Sequence, residues 1–289
     1  MGVWSAIGDL RAKPLGHLIG AADSVLRPEH LLDDLGNVGD LARPVVIQGG
    51  LSTDGYMYEP LADLLRTRGF RDVSATTLDF HGFASFQKDA QNLGELVKAA
   101  SERSRAAGGD GLVTVLAHSK GGLTARWYLQ KLGGIEYVDQ LVTLGKPHNG
   151  SAPYGTDLTA LSGMLSGMKS LKQLSASSGE VKWLNRDLQG FMERARAMRP
   201  EFRMVSIAGD LDLPLLRGTD GVVSNGASQL DPSSAGLVNM VFRGHGAHHG
   251  AIVGQFGLHE ATLRGTTILA SGGPIDQAAT GAAILSGGA

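Results

Sequence analysis

The sequence predicts an α/β fold, with a mostly parallel central sheet, helices on both faces and a helical insertion late in the chain. Three observations predict it. Short apolar runs at 45–48, 73–80, 112–116, 141–144, 202–208 and 237–242 alternate with longer segments of helical spacing, the order of a parallel sheet crossed by helices. Each run is apolar along nearly its whole length, as a strand covered on both faces must be. Finally, Gly49-Gly50, His81, Ser119 and His148 all fall just past the carboxyl ends of these runs, where open parallel sheets gather their ligands.

Taken in order, residues 1–42 read as short amphipathic helices and turns whose leucines (Leu26, Leu31, Leu32, Leu35, Leu41) can pack on the body. Pro44 opens the first strand. Residues 58–68 carry Leu61, Leu64 and Leu65 at helical spacing, and Gly69 suits the end of that helix. Residues 73–80 read as the next strand, running into His81-Gly82, and 87–107 as a long helix with Leu93, Leu96, Val97 and Ala100 inward. The strand at 112–116 is followed by a helix through Leu123, Ala125, Trp127, Leu129 and Leu132. The strand at 141–144 ends in Gly145-Lys146-Pro147-His148-Asn149-Gly150, and 154–200 shows no strand signal and is mostly helix-like. Two more strands, a closing helix over 249–263 and a Gly/Ala-rich tail complete the chain. The layout is therefore a helical segment at 1–42, the main domain at 43–265 and a tail at 266–289.

Bulk properties narrow the function. The chain has 289 residues, 42% hydrophobic and 19% charged, enough for a sizeable core, and a formal charge of -2. That charge gives no reason to expect nucleic acid or an anionic membrane as partner. Without cysteine there is no disulfide, thiolate nucleophile or Cys-based metal site. No apolar run approaches the roughly 18 residues of a membrane span. Asp9, Arg11 and Lys13 interrupt the pattern of a secretory leader, so the expectation is a chain not exported by that route, or one whose leader is missing.

Residues 112–132 carry the chemistry. A buried strand ends at Ala117-His118-Ser119-Lys120-Gly121 and a helix follows at once. A sharp strand-to-helix turn with serine at its tip is a nucleophile elbow. The serine projects clear of the sheet, and the helix aims its first N–H groups at developing negative charge.

With those residues in view the chain resembles the serine lipases and esterases of the α/β-hydrolase fold, bacterial triacylglycerol lipases in particular. The matching stretches are 44–50 (PVVIQGG), 117–123 (AHSKGGL), 141–151 (LVTLGKPHNGS), 219–223 (TDGVV) and 246–250 (GAHHG). They span about 44–255 in the family's order, leaving the first segment and the tail unmatched. Two positions depart from the family pattern: Gln48 stands where histidine is usual, and Ala117 replaces the first glycine of the elbow.

The resemblance implies Ser119 as nucleophile, then an acid, then a histidine base in chain order. For the base it favours His249 in Gly246-x-x-His249, with His248 as the alternative. For the acid it favours Asp220, with Asp212 in reserve. It implies an oxyanion hole made by the backbone N–H groups of Lys120 and Gly50, with Leu51 the neighbour that could replace Gly50. Residues 154–200 fall where lipases carry a cap or lid, and Leu158, Leu161, Leu165 and Met168 would give it one apolar face. A permanently packed helix explains that face equally well. His245, His248 and His249 could hold a metal, but no acidic ligand is spaced with them, so neither metal nor cofactor is expected. The activity implied is hydrolysis of a small-molecule acyl ester or lipid, without nucleic-acid partners or stable membrane insertion. Acyl transfer or polyester cleavage on the same triad, and a non-catalytic binding protein on the same fold, are the alternatives.

Overall fold

The computed structural model describes residues 40–51, 53, 55–76, 84–150, 169–211, 217–243 and 247–253. Six strands form one sheet: β1 Val45–Gln48, β2 Val73–Ala75, β3 Val113–His118, β4 Val138–Leu144, β5 Arg203–Asp210 and β6 Leu237–Arg243. Their order is β2-β1-β3-β4-β5-β6, and every neighbouring pair is parallel. The chain moves outward from β1 to β2, then crosses back to β3 on the other side of β1. This reversal opens a crevice between the carboxyl ends of β1 and β3, the place where such sheets bind ligands. Register puts Gln48 beside Ala117, which brings Gly50 level with Ser119.

The helices are α1 Glu59–Thr67, α2 Phe86–Ala106, α3 Lys120–Lys131, α4 Lys169–Leu174, α5 Gly179–Met198 and the single turn α6 Asn225–Ser228. Ser85 and Ser178 cap α2 and α5 by accepting the backbone N–H three residues on, satisfying donors the first turn leaves free. Two apolar layers enclose the sheet. On one face Leu61, Ala62 and Leu65 of α1 pack with Ile47, Leu116, Leu144, Ile207 and Ile252. On the other, Leu93 and Val97 of α2, Ala125 and Leu129 of α3, and Leu188 and Phe191 of α5 pack on Val46, Val115 and Leu141. This two-sided burial is why the strands read as continuous apolar runs.

Several bounds differ from the sequence reading: β2 ends at Ala75, while β3 runs on through His118 and β5 through Asp210. β4 begins at Val138 rather than 141, because Asp139 and Gln140 broke the apolar pattern. Both are buried and satisfied from the side: Asp139 by Arg43 and by the Thr114 hydroxyl (3.2 Å), Gln140 by Arg203 Nε (2.7 Å). The described start of the expected closing helix holds only a 3-10 turn at Ala251–Val253. Residues 1–39, 77–83, 151–168 and 254–289 lie outside the described residues, and with them the first 39 residues of the N-terminal segment, His81, the expected apolar face of Leu158, Leu161, Leu165 and Met168, and the tail. Within 169–198, Val181, Leu184, Leu188, Phe191, Met192 and Ala195 of α5 are buried. Gln173 of α4 accepts the Phe86 N–H at 3.0 Å, fastening α4 to the start of α2. No helix among the described residues is long and apolar enough to cross a membrane.

Candidate active site

Ser119 is the last residue before α3 and has φ 52°, ψ −129°. Among the described residues it is the one non-glycine with positive φ, a conformation that costs free energy and is kept only where the surroundings enforce it. Its N–H donates to Leu144 O at 3.0 Å, tying the turn to the end of β4. The elbow also needs a small residue two positions on: a Cβ at Gly121 would lie 2.3 Å from Gly49 O and 2.6 Å from Gln48 O. The backbones of the elbow and of the loop after β1 therefore touch.

Lys120, next in the chain, sends its side chain inward. Nζ donates to Asp89 Oδ2 at 2.5 Å and to Ala84 O at 2.7 Å, and Lys120 and Asp89 are both buried. Burial pulls the ammonium below its usual range, and Asp89 opposes that pull. Its backbone N–H belongs to the first turn of α3.

Asp220 and His249 meet at the carboxyl end of β5. Asp220 Oδ2 is 2.7 Å from His249 Nδ1, and the other carboxylate oxygen accepts the N–H groups of Val222 (2.9 Å) and Val223 (2.6 Å). The carboxylate can only accept, so Nδ1 carries the proton and Nε2 presents a lone pair. The backbones are joined too, His249 N–H to Asp220 O at 3.0 Å. Asp220 is fully buried, whereas the His249 side chain keeps 13% of its surface exposed. Gly145, one residue past the Leu144 that holds Ser119, has φ 56°, and a Cβ there would lie 2.9 Å from Asp220 Oδ2 and 3.0 Å from His249 Nδ1. Elbow and dyad thus flank the same two residues. Among the described residues no hydrogen bond joins Ser119 Oγ to the His249 ring; bonds of this kind often tighten only when substrate arrives.

The loop after β1 lies against the nucleophile, since a Cβ at Gly50 would be 2.8 Å from Ser119 Cβ and 3.4 Å from Oγ. The Gly50 N–H donates to the phenolic oxygen of Tyr58 at 3.0 Å. Tyr58 Oη is also 2.9 Å from His118 Nδ1, and His118 Nε2 donates to His249 O at 2.9 Å. Burial, with the His249 ring 4.7 Å away, holds His118 well below the usual imidazole range; burial lifts the Tyr58 hydroxyl to about 12.

Comparison with solved structures bears on the fold. Phospholipase PlaB from Legionella pneumophila matches at 15% identity and a TM-score of 0.59, over 84% of this chain and 63% of its own. Lipase B from Aspergillus fumigatus matches at 15% identity and 0.58, over 85% of this chain and 57% of its own. A Listeria innocua gene product matches at 16% identity and 0.51, over 73% and 88%. This chain has the α/β-hydrolase fold. No family model matches the sequence, and no curated protein matches it. The chain spans less than two thirds of the Legionella and Aspergillus proteins.

Within the α/β-hydrolase fold, then, the structure brings Ser119, Asp220, His249, Gly50 and the Lys120 backbone to one crevice. His248, the alternative base, accepts the Gly250 N–H on Nδ1 at 3.2 Å. Asp212, His245 and His259 lie outside the described residues. Tyr58 was not legible in the sequence as a site residue, because on α1's approach it reads as an ordinary apolar position.

His148 sits in a separate buried cluster behind the elbow helix. Lys146 Nζ is 2.6 Å from His148 Nδ1, whose Nε2 faces the Thr143 hydroxyl at 3.1 Å. Arg126 of α3 reaches across to α5, donating to Asn185 Oδ1 (2.8 Å) and Leu184 O (2.7 Å). Burial and the neighbouring Arg126 charge hold Lys146 well below the usual lysine range; burial, Lys146 and Arg126 do the same to His148. A Cβ at Gly122 would lie 2.3 Å from Lys146 Cδ, so that glycine makes room for the lysine stem.

Proposed function

We propose that the protein is a serine carboxylic-ester hydrolase, cleaving acyl esters or lipids through an acyl-enzyme on Ser119. The observation that carries this is the Asp220–His249 pair at 2.7 Å beside a serine held at φ 52°. His249 Nε2 takes the Ser119 proton as Oγ attacks the ester carbonyl, and Asp220 fixes the tautomer and offsets the charge that forms on the ring. The tetrahedral oxygen is met by the N–H groups of Lys120 and Gly50, each such donor being worth about 3 kcal/mol. His249 then gives its proton to the leaving alcohol, and the carbonyl reforms as an ester of Ser119. Water attacks that ester with the same roles, releasing the acid and restoring the Ser119 hydroxyl.

The domain reading belongs to this proposal: 43–265 carries the catalytic machinery, and because α5 packs on the sheet, the cap expected over 154–200 is confined to the part before Gly179. Structural likeness to a lipase and a phospholipase supports an acyl substrate. A rate profile on p-nitrophenyl esters from acetyl to palmitoyl tests it, run on the wild type and on Ser119→Ala. Turnover that peaks at medium or long chains and disappears in the variant is the expected result. Turnover that survives in Ser119→Ala, or a folded wild type inert to every ester, would remove the proposal.

A further inference from the structure

We propose that Tyr58 is a positioning residue that latches the oxyanion loop, its phenolic oxygen holding the Gly50 N–H at rest and giving it up when negative charge forms on the substrate. The inference rests on the reading of Ser119 as nucleophile and Gly50 as donor.

A proton count supports it. His249 O is a carbonyl and only accepts, so His118 Nε2 is the donor in their 2.9 Å bond. A neutral His118 then has a lone pair on Nδ1, and burial keeps it neutral. The contact from Tyr58 Oη to Nδ1, at 2.9 Å, must therefore use the phenol's single proton. What remains on Tyr58 Oη is acceptor capacity, and the Gly50 N–H fills it at 3.0 Å. Thr53 adds no proton here: its own hydroxyl proton goes to Gly50 O at 2.8 Å, and its oxygen, 3.2 Å from Tyr58 Oη, only shares the phenol's proton with the closer His118 Nδ1. Tyr58 and His118 are both buried, so no solvent competes.

The same peptide is held at its other end. Gln48 Nε2 donates to Gly49 O at 3.2 Å, and Gly49 O and the Gly50 N–H belong to one planar unit. That unit lies beside the nucleophile yet offers its proton to Tyr58. The Gly50 N–H has one hydrogen, so a bond to Tyr58 and a bond to an oxyanion on Ser119 compete. Completing the oxyanion hole requires this peptide to tilt. Gln48, where the resemblance leads one to expect histidine, is the second half of the latch.

Tyr58→Phe keeps the ring and removes the acceptor. A net hydrogen bond is worth about 0.5–1.5 kcal/mol, so the first-order inactivation of Ser119 by a fluorophosphonate should quicken roughly two- to tenfold. Initial binding of the probe should stay the same, because the latch opens only as charge develops. Gln48→Met should quicken it in the same direction, and it carries the test if Tyr58→Phe does not fold. A merely structural Tyr58 predicts slower labelling with a lower melting temperature. Unchanged or slower labelling in a folded variant, with the wild type labelled normally at Ser119, overturns the latch alone. A wild type that does not label at all overturns the reading of the site and the latch with it.

Discussion

The ammonium of Lys120 lies 2.5 Å from Asp89 Oδ2, and both side chains are 1% exposed. The lysine belongs to the residue whose backbone N–H is the proposed oxyanion donor, and the aspartate to α2. A buried ion pair thus fixes the first turn of the nucleophile helix against its neighbour. Replacing such a pair by apolar residues is often neutral, whereas removing one partner strands a charge. Lys120→Met should therefore lower stability by about 3–5 kcal/mol, and Lys120→Met with Asp89→Leu should recover most of it. Urea unfolding of the four members of the cycle measures this; two independent, additive losses would contradict it.

The Asp220–His249 bond assigns the second prediction. In Asp220→Asn the amide oxygen can still accept from Val222 and Val223, which leaves the NH2 facing Nδ1. The ring must then carry its proton on Nε2, where it cannot receive one from Ser119. The expected loss in kcat is roughly 10⁴-fold, with little change in melting temperature. His249→Ala should abolish turnover while His248→Ala keeps most of it. Steady-state kinetics of the three variants settles the assignment, and the reverse histidine result would move the base to His248.

Lys146 gives a pH-dependent prediction. Its folded ammonium titrates well below the usual range because of burial and Arg126, while in the unfolded chain it titrates near about 10.4. Between those two values the unfolded state binds one proton more, so stability rises with pH and is lowest on the acid side. Lys146→Met removes this dependence, and Arg126 Nη1, 3.5 Å from His148 Nδ1, can take up the vacated acceptor. The variant should melt higher than wild type at pH 6–7, by roughly 2–4 °C per kcal/mol recovered, and the gap should close toward pH 10. A gap that widens with pH would show that the lysine is charged in the fold.

Tyr58 predicts the opposite slope at the alkaline end. Its hydroxyl ionises at about 12 when folded, against about 10 when unfolded. Above pH 10 the unfolded state has lost a proton that the folded state keeps, so stability falls as pH rises. Between pH 9 and 11 wild type should lose about 1.4 kcal/mol more than Tyr58→Phe. Parallel denaturation curves for the two proteins would mean that the phenol ionises freely.

Much of this was legible in the chain itself. The apolar runs gave all six strands, since residues covered on both faces cannot be polar without partners. The small residues around Ser119 gave the elbow, because only such side chains fit where Gly121 meets the loop after β1. Asp139 and Gln140 hid the start of β4, and they did so because Arg43, Thr114 and Arg203 satisfy them from distant parts of the sequence.

What the sequence by itself determined was the parallel α/β architecture and the serine at its turn, both dictated by local periodicity and local sterics. Only the tertiary structure decided which of two adjacent histidines meets an acid. It likewise decided that Lys120 turns inward to Asp89 and that Tyr58 takes the Gly50 N–H. Those choices depend on hydrogen-bond geometry across separations such as the 60 residues between Tyr58 and His118 or the 131 between His118 and His249. No periodicity records such distances. They are set when the strands align and bring the ends of β1, β3, β4 and β5 to one edge.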